Sequence, residues 1–451
     1  MNSPKAKLTQ GSVARHLVNM TVPMLLGIST MMAQSFIDTW FLGKVGDRAL
    51  AAYGFGFPIL MIITSVAIGL GAGTSSVVAR AIGFEDQHRT RRLSTDSLLL
   101  AFLIATVMSL LGVLTIEPLF RSLGAPDDMI QMIREFMLIL YIGMPFLVVG
   151  MVSTSNMRAT GDTRLPGKLM IFGAILNVLL DPLFIFGLGP LPAMGLNGAA
   201  VAALLSRGVI FIVALYLMVK RMNMISFNIP ALAELRKSWG DILHVGLPAA
   251  GTNAIVPIGL VAITAMVAQY GHEAVAGFSV ASRIESLVLV IFYAISSIIG
   301  PFVGQNLSAG KEQRIRESLR KCAIFCIASG LLIAIMLALL SGVLPGLFSN
   351  NEKVTDVTRL FLWIAPIGYG AYGVVMVMNA AFNGLGKPMP GVVVSVVRII
   401  ALYLPLAFLG ERWFGIVGIF TAYTLANILT GLLGYFWAQQ VARKLCQRAT
   451  R

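Results

Sequence analysis

The sequence predicts an all-α polytopic membrane protein, with twelve transmembrane helices in two parallel-repeat lobes of six. Three observations carry that expectation. Hydrophobic residues make up 57% of the chain and charged residues only 12%, against about 25% charged in a soluble domain. Uncharged stretches such as 98–114, 324–340 and 425–437 recur along it and approach the ~20 residues that cross a bilayer. The chain also repeats itself: Pro23 returns as Pro248, Gly46 as Gly271 and Gly161 as Gly386, each 225 residues apart in a chain of 451. A period of that length in so apolar a sequence marks two homologous membrane halves around a central cavity, the architecture of a carrier.

The elements follow in order. A polar start of fifteen residues gives way to a first span at 16–42. Spans two and three, 50–79 and 95–116, are divided by the basic stretch around Arg89 and Arg92. Spans four to six fall at 133–156, 166–188 and 196–219, with Gly- and Pro-containing breaks between them. Spans seven and eight lie at 243–268 and 275–303, and nine to twelve at 320–341, 360–382, 392–409 and 414–440. The domain reading is a first lobe over 1–220, a linker over 221–240, a second lobe over 241–440 and a basic tail over 441–451. The linker carries Arg221, Pro230, Arg236 and Lys237, a composition that lets two bundles rock against each other.

Charge sets the orientation. With the N-terminus in the cytosol, the tails and inner loops hold 24 of the 34 Lys and Arg residues, the outer loops hold 7, and Arg207, Arg283 and Arg398 fall inside spans. That bias obeys the positive-inside rule and places both termini in the cytosol of an inner (plasma) membrane. The net charge of +14 is therefore a topology signal. Nucleic-acid binding is excluded, because no aromatic-studded basic domain stands outside the membrane; anionic lipid is the natural contact of the inner loops. No cleavable signal peptide is expected, and the first span serves as its own insertion signal. Cys322, Cys326 and Cys446 read as reduced packing residues, and the four histidines have no metal-ligand spacing.

Pro23, Pro58, Pro145, Pro182, Pro248, Pro257, Pro366 and Pro405 all lie within the proposed spans; each removes a backbone donor and tends to kink its helix. The run Gly69–Gly73 and the small residues of 195–203 allow close helix approach. The glycine run also has the look of a phosphate loop, but no Lys-Ser/Thr follows it.

Six ionisable residues lie well inside spans: Asp38, Asp181, Arg207, Arg283, Glu285 and Arg398. A charge near the bilayer centre costs at least ~2.5–3.5 kcal/mol, so these should face a cavity or a partner. Asn177 and Asp181 are four residues apart, as are Gln34 and Asp38, so each pair shares one helix face, with Met31 a turn below Gln34. A carboxyl beside an amide in a pocket that dries and rewets can take up and release H⁺, and the same oxygens can coordinate Na⁺. The partner of Asp38 at the 225 offset is Ile263, so ion coupling is expected in the first lobe. Glu285 is the second-lobe candidate, two residues from Arg283 and thus on a different side of its helix. Arg207 and Arg398 are expected to bond helix carbonyls or acids, and Met170 joins Met31 and Gln34 as a cavity candidate.

The segments 35–43 (SFIDTWFLG), 158–166 (RATGDTRLP), 177–187 (NVLLDPLFIFG), 194–201 (MGLNGAAV) and 383–388 (NGLGKP) resemble the multidrug and toxic compound extrusion (MATE) family, over nearly the whole chain. Within the family, the first-lobe aspartate pair with its asparagine looks like the DinF-type branch. The resemblance implies a V-shaped alternating-access carrier that exports cationic or amphipathic drugs in exchange for H⁺ or Na⁺. It makes Asp38 and Asp181 the coupling carboxylates, Asn177 their amide partner and Pro23 the kink that responds to protonation. One departure stands out: near Ala203 the family often has threonine, and Ser206 is the nearest substitute.

The expectation is thus a cation-coupled exporter, with H⁺ ahead of Na⁺, working as a monomer with small-molecule substrates and the lipid bilayer as partners and with no cofactor. Export or flipping of a lipid-linked precursor or a metabolite on the same fold is the alternative. An intramembrane enzyme is excluded for want of a nucleophile–base or metal constellation, and a channel is disfavoured by the repeat and the broken helices.

Overall fold

The structure, a computed structural model, describes residues 6–187, 192–228 and 231–449. Pro230 of the expected linker, the last residue of the expected fifth span, residues 1–5 and the final two residues of the tail lie outside the described residues. Among the described residues twelve helices are long and apolar enough to cross a membrane, and the chain is a multi-pass, all-α membrane protein. In order they are α1 Val13–Val45, α2 Asp47–Gly83, α3 Gln87–Ser122, α4 Asp127–Ala159, α5 Arg164–Ile185, α6 Gly195–Arg221, α7 Leu232–Ala268, α8 ending in Val290–Ser308, α9 Glu312–Leu340, α10 Glu352–Gly384, α11 Met389–Phe414 and α12 Ile416–Gln447.

Most run past the spans expected from hydropathy, because capped polar turns extend the apolar cores. At the start of α3, the Asp86 carboxylate accepts from the Arg89 N–H at 2.9 Å, which lets the basic residues that follow be helical. At the start of α10, Asn351 accepts from the Lys353 N–H at 3.0 Å.

The repeat is visible in the helix starts. α2 begins at Asp47 and α8 at His272, α3 at Gln87 and α9 at Glu312, α4 at Asp127 and α10 at Glu352, α5 at Arg164 and α11 at Met389, each 225 residues apart. The turns repeat too. Gly46 and Gly271 have φ of 140° and 101°, and Gly161 and Gly386 have φ of 85° and 68°, values that glycine adopts without steric cost.

The chain forms two compact units. The first consists of residues 1–7 and 26–250, the second of residues 8–25 and 251–451. The steps at 25/26 and 250/251 again differ by 225, so α1 and α7 change unit at equivalent points.

In the first unit, glycine sets the spacing of α2 against α7. A Cβ on Gly73 would lie 2.3 Å from the Ile242 carbonyl oxygen, and one on Gly69 would lie 2.5 Å from that of Gly246. Only hydrogen fits at these positions. The segment after α6, expected as a loose linker over 221–240, is helical from Leu232 and is tied to α3. The Ser226 N–H donates to Thr95 Oγ1 (2.8 Å), Arg92 Nη1 to the Asn228 carbonyl (2.8 Å) and Trp239 Nε1 to the Asp96 carbonyl (3.0 Å). Arg92 and Asp96 form a buried ion pair beneath it, which supplies the guanidinium that holds the strap.

The second unit departs most from regular helix. α8 was expected as one span over 275–303. It is instead two pieces, His272–Val288 and Val290–Ser308, meeting at Leu289, where the Phe292 N–H turns back to the Leu289 carbonyl at 2.9 Å. No proline or glycine marks this break. In α10, Pro366 lies in a short tighter turn, Ala365–Gly368. In α11 the wide turns of Val397–Tyr403 precede Pro405, where the missing N–H would otherwise leave a carbonyl without its partner. Cys322 and Cys326 are buried free thiols, and Cys446 is likewise buried, on the long C-terminal helix Ile416–Ala449.

Candidate functional site

A cavity of about 330 Å³ opens within the first unit. It is bounded by α1, α2, α4, α5 and α6, and its lining includes Met31, Gln34 and Asp38 of α1 and Met170, Asn177 and Asp181 of α5. Helical periodicity explains the grouping, since residues four apart stack on one face of each helix. Asn177 is 2% exposed and Asp181 is fully buried, while Asp38 is half-buried at the cavity wall.

The two carboxyl groups are linked by two amides. Gln34 Nε2 donates to Asp38 Oδ2 at 3.4 Å and also to Asn177 Oδ1. Asn177 Nδ2 in turn donates to Asp181 Oδ1 at 3.4 Å. The chain therefore runs Asp38, Gln34, Asn177, Asp181 across two helices. Each acid keeps one buried oxygen, Asp38 Oδ1 and Asp181 Oδ2, with no hydrogen-bond partner among the described residues. Such orphan acceptors in a buried site call for a proton or a cation.

A proton and a metal cation make different demands on the donor set. A proton needs one acceptor oxygen, whereas a hard cation such as Ca²⁺ gathers about six or more. Here the Asn177 oxygen already accepts from Gln34, and Ser206, at the cavity edge, turns its hydroxyl onto the Ala203 carbonyl at 3.1 Å.

Residues that sequence reasoning did not place here complete the wall. Arg207 of α6, Arg158 of α4 and Tyr53 of α2 line the same cavity, with Phe146 and Met151 on its apolar side. Arg207 carried a signal, being one of six ionisable residues within spans. Tyr53 carried none, because only the lateral packing of α2 brings it in.

The second-lobe candidate stands elsewhere. Glu285, in the first piece of α8, accepts from the Tyr423 hydroxyl of α12 at 2.5 Å. Arg398 of α11 is 4% exposed, donates to Asn427 Oδ1 at 3.2 Å and lies 4.4 Å over the Tyr372 ring. Arg398 thus bonds a side-chain amide and an aromatic face, and the Glu285 carboxylate lies within its electrostatic reach. Arg283 is exposed, and Pro23 lies within α1 in the part that belongs to the second unit.

Twelve spans in two repeated sets of six, with a polar cavity at span depth, define a membrane transporter. The sequence model of the MatE family matches residues 23–183 and 248–409, two copies offset by the same 225 residues. The chain belongs to this family, whose members are transporters and not enzymes. It is 38% identical to a protein named "FAD transporter" from Shewanella oneidensis, over 96% of both chains. It is 29% identical to the "Probable multidrug resistance protein YpnP" of Bacillus subtilis, over 91% of both. Among solved structures, a mutant of the Vibrio cholerae MATE transporter VcmN superposes with a TM-score of 0.92 at 30% identity, covering 96% of this chain and 97% of that one.

Proposed function

We propose that the chain is a proton-coupled antiporter that exports cationic or amphipathic small molecules by alternating access, from an inner membrane in which both termini are cytosolic. The observation that carries this reading is the amide-bridged pair Asp38 and Asp181, each with an orphan oxygen, on the wall of a cavity with apolar Met and Phe faces. In the charged form the acids attract a cationic cargo, while Met31, Met151 and Phe146 accept its apolar body. Protonation discharges the acids and releases the cargo on the far side. The same carboxyls cannot hold both proton and cation at full strength, and that competition couples the two fluxes. Relatives named as multidrug proteins support the substrate class.

A second reading takes FAD as cargo, favoured by the name of the Shewanella relative at 38% identity. Arg207 and Arg158 on the cavity wall would then meet the phosphates, and the apolar faces would hold the isoalloxazine ring.

Efflux from proteoliposomes tests both readings. Ethidium and FAD are loaded separately, and a pH gradient is compared with a Na⁺ gradient. The proposal expects ethidium efflux under the pH gradient, lost in Asp38→Asn and Asp181→Asn variants that still insert and run as folded monomers. Ethidium efflux under Na⁺ alone would overturn proton coupling. Export of FAD without ethidium would establish the second reading.

A further inference from the structure

The first unit has another cavity, of about 350 Å³, at the corner between α2 and α3 on the side of the basic loops. Its walls bring together two arginines, Arg80 and Arg89, and two aspartates, Asp86 and Asp241, over the apolar side chains of Val77 and Leu93. Phe84, 69% exposed, stands at the rim.

The internal repeat gives these residues counterparts in the second unit, and those counterparts are occupied. At the 225 offset, Val77 corresponds to Phe302, Arg80 to Gln305, Asp86 to Lys311, Arg89 to Arg314 and Asp241 to His16. In the second unit those residues grip the short helical turn near the N-terminus. The Leu8 N–H donates to Gln305 Oε1 (3.2 Å), Lys311 Nζ donates to the Thr9 carbonyl (2.7 Å), and Arg314 donates to the carbonyls of Leu8 (2.9 Å) and Gly11 (2.6 Å). The Leu8 side chain is 1% exposed. The occupant there is a string of oxygen acceptors with an apolar group attached. In the first unit the matching segment, 233–236, is already part of α7 and cannot serve as that occupant.

The chemistry of the first-unit cavity differs from that of its counterpart. The lysine that meets a carbonyl in the second unit is an aspartate, and the glutamine is an arginine. Arg89 Nη2 pairs with Asp241 at 3.2 Å, Arg80 Nη1 bonds the Ser76 hydroxyl at 2.9 Å, and the Asp86 carboxylate caps α3 through the Arg89 N–H. Two guanidinium groups and two carboxylates leave no net charge, so a simple anion gains little over water. A ligand with a phosphate and an ammonium a few bonds apart meets both signs.

We infer that this cavity binds a phosphoethanolamine headgroup, with the phosphate on Arg80 and Arg89 and the ammonium on Asp86 and Asp241. The first carbons of the attached chain lie against Val77 and Leu93. Lipid phosphatidylethanolamine and free phosphoethanolamine share this chemistry. Basic pockets beside membrane helices are known headgroup sites in general; the paired acids make this one selective for a zwitterion that can donate.

Native mass spectrometry of the delipidated full-length protein tests the inference. Phosphatidylethanolamine, phosphatidylglycerol and phosphatidylcholine of equal acyl length are titrated in turn, then free phosphoethanolamine and inorganic phosphate as competitors. Two variants copy the other half of the chain: Arg80→Gln, as at Gln305, and Val77→Phe, as at Phe302. Phosphatidylethanolamine should bind about tenfold more tightly than the other two lipids, and Arg80→Gln should lose about that factor, as expected for one charge-assisted contact. Val77→Phe should block it by filling the space. Displacement by phosphoethanolamine but not by phosphate identifies the free headgroup as sufficient; failure of both to displace the lipid assigns the site to the lipid alone. Equal binding of phosphatidylglycerol would overturn the zwitterion assignment. Retention of phosphatidylethanolamine by both variants, each with an unchanged melting profile, would overturn the site.

Discussion

Asp38 and Asp181 differ in what surrounds them, and that difference predicts how their variants behave. Asp181 is fully buried and accepts from Asn177, whereas Asp38 is half-buried and accepts from Gln34. Replacing Gln34 by Leu removes the amide that joins the two helices and leaves the Asn177 oxygen without its donor. Hydrogen bonds to charged groups contribute about 1.5–3 kcal/mol, so the rate of pH-driven efflux should fall by tenfold or more while the protein stays folded. An unchanged rate would show that the bridge is not part of the coupling. In the second unit, Tyr423→Phe strips Glu285 of its hydroxyl partner. Leaving a buried acceptor unsatisfied costs about 1–3 kcal/mol, so a lower melting temperature in detergent is expected. On the proposal that Asp38 and Asp181 are the coupling acids, pH-driven efflux should persist; its loss would move coupling to Glu285.

At the scale of elements, close glycine contacts make a sharp prediction. Gly73→Val forces α2 away from α7, because a Cβ there would sit 2.3 Å from a backbone oxygen. Backbone cannot rotate aside as a side chain can, so destabilisation of about 1–3 kcal/mol or more is expected. Gly208→Ala in α6 meets nothing within 4 Å, so the gain in helix propensity, about 0.4–1 kcal/mol, should raise the melting temperature. Thermal unfolding of the two variants in one detergent checks both signs. The same elements show what the sequence revealed. The spans were legible because an uncharged run of that length has few alternatives, and the tighter turn at Pro366 and the wide turn before Pro405 each have a proline as cause. The break at Leu289 has no such residue; it belongs to the packing of the unit and could not be read locally. Asp38, Asn177 and Asp181 were legible because polar groups are costly in a span. Tyr53 was not, since it reaches the cavity only through the lateral position of α2. The burial of Leu8 against Gln305 was equally hidden, for the two are 297 residues apart.

For the whole molecule, the repeat links architecture to energetics. Both units share one helix plan, and among the described residues the first pairs two acids across a cavity; at the 225 offset Asp38 becomes Ile263. The single coupling site proposed for the first unit would limit what a turnover can move, and that limit separates the two cargo readings. Exchange of one proton for one monovalent cation moves no net charge. Its rate should then be indifferent to membrane potential, and one pH unit should sustain about tenfold accumulation. FAD is an anion through its phosphates. Its outward movement against an inward proton carries net positive charge inward, and an inside-negative potential favours that by about 2.3 kcal/mol per charge per 100 mV. Proteoliposomes clamped with valinomycin and graded K⁺ separate the cases. Ethidium efflux should follow the pH gradient alone and stay flat as the potential is varied. Efflux of FAD, if FAD is the cargo, should accelerate with inside-negative potential and slow when the sign is reversed. Ethidium efflux that tracks the potential would rule out one-for-one exchange and require more than one proton per cargo, a load that the two orphan carboxyl oxygens of Asp38 and Asp181 could still carry.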